Sequence, residues 1–305
     1  MSTSNTYENL VICGGGIKTV SIAGAIKVLE QNGTLNNIKR FAGNSAGSII
    51  ATLLSVGFTS DEIQDITLNK LPSFTSKNIF DRIYRVIFKK GMFSSQLIED
   101  SLDSLILAKT GMTNLTFEDV FTKYNKILLI VSTCLDKRTT HFYHHISNPT
   151  MKVSMACRIS SSIPIFFEPY IWNSDVLVDG VLLMNYPLYV FDEDVLPDTT
   201  KKVAILKETT NEKTLGITIA TPEYTDNIYN GISPTNNILN IAYSVIETMN
   251  DQICRDYLRS DYTKNSITIN LQQNISATDF SMDDATKNSL YNTGVECAKT
   301  FFNKT

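Results

Sequence analysis

Histidine is nearly absent from this 305-residue chain: there are three, His141, His144 and His145, all within one short stretch. Any triad of orienter, imidazole and nucleophile must therefore draw on that single block. A basic excess is also missing. Lys plus Arg is 27 against 31 Asp plus Glu, a net charge of -4, which leaves no electrostatic footprint for nucleic acid, and none is expected as a partner. The five cysteines (13, 134, 157, 254 and 297) are odd in number and form no CxxC pair. Buried thiols of a reducing compartment are expected, not a disulfide framework or a zinc site. No apolar run is long: the stretch Ser48 to Phe58 falls far short of the ~18 to 20 residues of a membrane span. The first ten residues lack the basic and apolar regions of a secretory signal. An intracellular protein, soluble or peripherally membrane-associated, is expected.

What is present is the composition of a folded globule, 43% hydrophobic and 19% charged. Leu10 to Ile12 is a short apolar strand that stops at Gly14-Gly15-Gly16. Apolar residues recur through Val20, Ala23, Ile26 and Leu29 with Lys27 and Glu30 between, which predicts an amphipathic helix over 19–31 closed by Gly33. A second strand over 38–42 meets Gly43, and a buried helix follows over 48–56. Two strand–glycine loop–helix units predict an α/β fold with a mainly parallel sheet. Residues 59–122 read as amphipathic helices broken at Pro72 and Gly91. Strands are expected over 125–133, 139–146, 176–178, 202–206, 214–220 and 267–271, and helices over 153–161, 235–259 and 282–303, with a turn-rich connection over 192–211. About 150 residues per domain would allow two domains, but the motifs spread across the chain, so one is expected over 8–305: a motif-bearing core over about 10–192 and a C-terminal completion over 193–305.

Three constellations carry chemistry. Gly43-Asn44-Ser45-Ala46-Gly47 is a G-x-S-x-G between a predicted strand and helix. Small neighbours let a serine stand on a strained strand-to-helix turn with its Oγ exposed. The run Gly14 to Lys18 presents successive backbone N–H groups at a helix start, an anion site. It fails the dinucleotide fingerprint, because Thr19 stands where a glycine is needed, and it fails the phosphate-loop spacing. An oxyanion hole beside Ser45 remains, against a plain tight turn. Asp179-Gly180 follows an apolar strand, at the carboxyl end where α/β folds place site residues. The histidine block reads as a solvated hairpin with no acidic ligand nearby, so neither a catalytic histidine nor a metal site is expected there. A direct Ser45–Asp179 dyad is the better hypothesis, and it needs no cofactor.

These pieces, in this order, resemble the patatin-like phospholipase family, whose pattern is a Gly-rich loop, a G-x-S-x-G and a D-G-[GA]. The flanks Arg158 to Pro164 and Leu182 to Pro187 are similar to the family's R-A-S-x-S-I-P and L-x-x-N-x-P segments, and the likeness runs from about Leu10 to Phe302. The resemblance implies a three-layer α/β/α domain and a lipid acyl hydrolase of phospholipase A or lysophospholipase type. It implies Ser45 as nucleophile, Asp179 as base, Gly14, Gly15 and Gly16 as oxyanion hole, and Lys18, Gly43, Gly47 and Gly180 as supporting positions. A phospholipid or other acyl lipid would be the substrate and a membrane surface a peripheral partner. Two departures favour an alternative, a non-catalytic lipid- or protein-binding module. Thr19 replaces a glycine and should loosen the helix start. Val181 replaces Gly or Ala and, being β-branched, calls for an extended turn that would shift Asp179 slightly, with activity still expected because both side chains and all three glycines remain. Phe88-Lys89-Lys90-Gly91-Met92-Phe93 sets apolar residues beside two cations, which suits an anionic bilayer; a helix end capped by Gly91 explains it slightly better.

Overall fold

A computed structural model describes residues 6–70, 84–193, 196–197, 211–220, 241–242, 244–250, 252, 264–271 and 275–304. The first unit runs from strand β1 (Asn9–Ile12) through a 3-10 turn (Gly16–Thr19) into helix α1 (Val20–Gln31). The second runs from β2 (Arg40–Asn44) into α2 (Ala46–Ser55). Then come α3 (Ser60–Asn69), β3 (Gly91–Phe93), α4 (Gln96–Thr110) and α5 (Phe117–Tyr124). The hairpin β4 (Ile127–Cys134) and β5 (Thr139–Tyr143) leads to α6 (Val153–Ser160). Short strands β6 (Ile165–Phe167) and β7 (Tyr170–Trp172) precede β8 (Asp175–Asp179). Strands β9 (Thr214–Ala220) and β10 (Ser266–Asn270) and helix α7 (Asp284–Lys304) complete the described chain.

Eight strands form one sheet in the order β10-β9-β1-β2-β4-β8-β7, with β5 also on β4; β3 and β6 pair separately. From β10 to β4 all neighbours are parallel, and β5, β7 and β8 join antiparallel. β1 is buried along its whole length and β4 from Leu128 onward, residues of both pleat faces included. Layers of other chain therefore cover both sides of the sheet, as a three-layer α/β/α fold requires.

The register of β4 positions the site. Val131 faces Asn44 of β2 on one side and Phe142 of β5 on the other. The next residue, Ser132, faces Asp179 of β8 and His141 of β5. Because β5 holds one edge of β4 throughout this stretch, β2 and β8 share the opposite edge and meet there by their carboxyl ends.

Several expectations need correcting. α1 keeps its polar stripe at Lys27, Glu30 and Gln31, but its other nine residues are buried, more than a helix covering one face of a sheet needs. It packs against α7 through paired close approaches. A Cβ on Gly24 would lie 2.0 Å from the Tyr291 carbonyl oxygen, and one on Gly294 1.7 Å from that of Ser21. Gly91 does not cap a helix. It is the buried first residue of β3, and Lys90 before it carries the left-handed backbone (φ 63°). The three-residue strands β3, β6 and β7 are too short for periodicity to reveal. The expected break at Pro72, the strand over 202–206 and most of the connection over 192–211 lie outside the described residues. So does most of the helix over 235–259, of which the described residues 241–242, 244–250 and 252 are helical.

Candidate active site

Between the last residue of β2 and the first of α2 stands Ser45 alone, with φ 52° and ψ -133°. One residue makes the whole strand-to-helix turn, in a conformation that costs an L-residue roughly 1 to 3 kcal/mol. Neighbouring glycines allow it. A Cβ on Gly43 would sit 2.5 Å from the Gly47 carbonyl oxygen, and one on Gly47 would sit 2.3 Å from that of Cys13. The turn thus folds on itself and lies directly against the end of β1.

Asp179 ends β8 and is fully buried. Ser45 Oγ donates to its Oδ2 at 2.6 Å, within the range of a charge-assisted O–H···O bond. The other oxygen, Oδ1, accepts from Val181 N–H at 2.8 Å and Asn44 Nδ2 at 3.2 Å. Burial dominates the electrostatics and pushes the carboxyl from its ordinary 3.8 up to about 7, against the three donors that favour the charged form. Gly180 has no room for a side chain: a Cβ would meet Asn44 Oδ1 at 2.3 Å. Val181 is not extended. It lies in a 3-10 turn (Gly180–Leu182) with negative φ, and its N–H holds Asp179 where it is. Thr19 does not loosen the first turn; it is buried, with Oγ1 donating to the Gly16 carbonyl at 2.6 Å.

The glycine loop lies against the serine. A Cβ on Gly14 would stand 3.0 Å from Ser45 Cβ. Gly14 N–H donates to the Asn185 carbonyl at 3.1 Å. The N–H groups of Gly15 and Gly16 have no partner among the described residues. Gly16 has φ 54° and is backed by the Ala277 carbonyl, which also accepts from Ile17 N–H at 2.9 Å. Lys18 is half-buried and hydrogen-bonds neither Ser45 nor Asp179; its carbonyl accepts from Ser21 Oγ.

A family model, Patatin-like phospholipase, matches residues 10–192 and so spans both side chains and the glycine loop. The chain belongs to the patatin-like phospholipase family. It is 32% identical over 299 residues to the uncharacterized protein R571 of Acanthamoeba polyphaga mimivirus, covering 97% of this chain and 94% of that one. It is 32% identical over 184 residues to the probable lipid hydrolase 463L of Invertebrate iridescent virus 6, covering 60% and 62%. Among solved structures, VipD from Legionella pneumophila superposes with a TM-score of 0.58 at 16% identity, over 98% of this chain and 67% of that one. That likeness speaks to the fold.

Sequence reasoning missed the polar frame of this patatin-like site. Asn44 Nδ2 donates to Asn185 Oδ1 at 3.0 Å as well as to Asp179, and Asn44 Oδ1 accepts from Ser160 Oγ at 3.2 Å. Ser160 Oγ accepts in turn from Ser45 N–H at 2.8 Å. Asn185 Nδ2 reaches the Gly14 carbonyl at 3.4 Å. Asn44, Ser160 and Asn185 are all buried, so the frame is costly to break. The signal available was their place within the quoted motif and its flanks, polar residues in otherwise apolar or small-residue runs.

None of the three histidines hydrogen-bonds the serine. His144 is buried, which corrects the solvated hairpin. Its Nδ1 accepts from Ile146 and Ser147 N–H, so Nε2–H donates to the Pro197 carbonyl at 3.0 Å. His145 stacks on Phe121 with centroids 4.1 Å apart. His141 does have an acidic neighbour, contrary to expectation. The ligand atoms of Cys134, His141 and Asp175 all lie within 4.8 Å of one another, a donor set that could hold a metal ion. It stands four residues along β8 from Asp179, about 13 Å at ~3.3 Å per residue, and its Asp175 is already paired with Lys137 at 2.7 Å.

Proposed function

We propose that this patatin-like chain hydrolyses fatty-acyl ester bonds of phospholipids or related acyl lipids, as a phospholipase A or lysophospholipase, through a Ser45–Asp179 dyad. The observation that carries the reading is the 2.6 Å bond from Ser45 Oγ to a fully buried carboxyl whose pKa lies at about 7. A carboxylate at its ordinary pKa is a weak base at neutral pH; one raised to about 7 is matched to the task. Asp179 Oδ2 takes the hydroxyl proton as Oγ attacks the ester carbonyl. The backbone N–H groups of the glycine loop receive the negative oxygen, Gly15 and Gly16 being the donors left free by the Gly14–Asn185 bond. Asp179 then gives its proton to the departing alcohol or lysolipid. Water, deprotonated by the same carboxylate, attacks the acyl-enzyme; the bond to Ser45 Oγ breaks, Asp179 returns the proton to Oγ, and the fatty acid leaves. The protons and the acyl group all move through these side chains, so no step requires a metal or cofactor.

The name of the iridescent virus relative, a probable lipid hydrolase, agrees with this substrate class. A lipid surface is the partner such a substrate implies. No helix among the described residues is long and apolar enough to cross a membrane. The alternative of a non-catalytic module loses its two supports, since Thr19 and Val181 both fit the site without displacing it. We also read the chain as one domain over 8–305, because β9 and β10 from its second half extend the sheet begun by β1. A fluorophosphonate, which reacts with an activated serine, tests the reading: the expected result is one adduct on Ser45, absent in Ser45→Ala, together with turnover of a short-chain p-nitrophenyl ester. A folded protein that takes no adduct would make it the binding module.

A further inference from the structure

Three large apolar side chains face water at one place close to the site. Tyr84, Ile87 and Phe88 are 55%, 64% and 66% exposed. They stand together at the π-helical turn Arg85–Lys89 and its N-cap, where the Tyr84 and Phe88 rings lie 4.9 Å apart and Ile87 adjoins Phe88. Lys89 and Lys90 follow immediately, exposed and without an ion pair to any described residue. A helix-capping role for this stretch leaves the exposure of Ile87 and Phe88 unexplained, and the cap is Lys90 and not the glycine.

The turn is held firmly, and it is held next to the dyad. Arg85 pairs with Glu168 at 2.7 Å and its Nε donates to the Met92 carbonyl at 3.1 Å. The strands β3 and β6 that flank these anchors carry Phe93 and Phe166, which pack with Phe280 and with Ile49, four residues after Ser45. Two residues before β6 stands Ile163, packed on the same cluster, and before it Ser162, whose carbonyl accepts from Asp179 N–H at 2.9 Å. The exposed turn thus caps a small apolar wall with one end at the nucleophile helix and the other at the base.

We propose that this turn is the surface by which the protein docks on an anionic lipid bilayer, with Ile87 and Phe88 seated at the acyl boundary and Lys89 and Lys90 against the headgroup phosphates. The choice of a bilayer as occupant rests on the lipid hydrolase reading and on charge. Exposed apolar residues with adjoining cations match an interface that is apolar inside and negative outside.

Sedimentation with vesicles tests it, using phosphatidylcholine alone and phosphatidylcholine with one third phosphatidylserine. The unaltered protein should pellet with the anionic vesicles and on the order of tenfold less with the neutral ones. Ile87→Ser/Phe88→Ser should lose on the order of tenfold or more in binding to anionic vesicles, with its melting temperature unchanged because both side chains are exposed. Lys89→Glu/Lys90→Glu should lose the preference for phosphatidylserine. Ser45→Ala should pellet like the unaltered protein. Failure of the unaltered protein to pellet with anionic vesicles overturns the proposal, as does full binding by Ile87→Ser/Phe88→Ser or a retained phosphatidylserine preference in the lysine variant. The hydrolase reading is separable. A protein that turns over a soluble short-chain ester without pelleting keeps that reading and loses this one. A protein that pellets through the turn but takes no fluorophosphonate does the reverse.

Discussion

Strand β8 carries two aspartates on one pleat face, Asp175 at its start and Asp179 at its end, opposite Trp172 and Ser132 respectively. Same residue type, same strand, same face: yet only one is hydrogen-bonded to the serine. Asp175 is partly open to solvent and faces a cation, Lys137, at 2.7 Å. Asp179 is fully buried, faces no cation among the described residues, and is surrounded by a hydroxyl, an amide and a backbone N–H. Neutral donors hold a carboxylate in place without cancelling the cost of burying its charge, so its pKa rises to about 7. A cation beside it would have lowered the pKa and weakened the base. The difference between the two carboxylates therefore lies in what surrounds them: first the full burial of Asp179, and then its neutral donors in place of the cation that Asp175 faces.

The sharpest way to break that contrast is to neutralise each in turn. Asp179→Asn keeps the shape and removes the base; turnover of a short-chain p-nitrophenyl ester should fall by about 10³-fold or more. Asp175→Asn should leave it within about threefold, since four residues of β8, about 13 Å, separate it from the serine. Equal losses in the two variants would mean that the strand's integrity, and not the base, is being measured.

The second contrast is in pH. If Asp179 must be ionised to act, kcat/KM rises tenfold per pH unit on the acid side and levels off above about 7. The sign for stability is opposite. Because the folded pKa is raised above 3.8, the folded state holds a proton that the unfolded chain has released between those two values. Stability therefore falls as pH rises through that window. Asp179→Asn should abolish this contribution to the slope of melting temperature against pH, and Asp175→Asn should not.

What was legible in the sequence is what local geometry forces. Ser45 with φ 52° and the close approaches at Gly43, Gly47 and Gly180 admit few residue types, and so the G-x-S-x-G and Asp-Gly motifs could be read by eye. The strand over 214–220 was readable for its apolar run. Features made by register were not legible. The meeting of β2 and β8 on one edge of β4 joins residues 134 apart in the chain, Ser45 and Asp179; the motifs foretold the pair but not the edge that aligns it. The Asn44–Ser160–Asn185 frame joins the end of β2, the end of α6 and the chain after β8, so its members show in the sequence only as isolated polar residues, while the assembly of Cys134, His141 and Asp175 comes from β5 and β8 lying beside β4. The burial of nine of the twelve residues of α1 follows from α7 lying on Gly24, a contact made 270 residues later by Gly294 and its neighbours.

Asn44 offers a finer test of the neutral-donor argument. Asn44→Ala removes a donor to Asp179 and leaves Asn185 Oδ1 and Ser160 Oγ short of a partner. Turnover at neutral pH should fall by about ten- to a hundredfold. Its rising limb should also move to higher pH, because one of the groups favouring the charged carboxylate is gone. A purely structural loss would lower the plateau and leave the limb where it was.

The smallest effect is expected at the other end of β8. Lys137 is 59% exposed and its pair with Asp175 is a surface ion pair, of the kind that contributes little. Lys137→Met should change neither the melting temperature nor the turnover by a measurable amount. It should, however, free the Asp175 carboxylate beside Cys134 and His141, whose Nε2 is buried without a hydrogen-bond partner. If Lys137→Met lowered turnover as Asp179→Asn does, then the two ends of β8 would be coupled through the sheet, and the separation of structural from chemical carboxylate drawn here would be wrong.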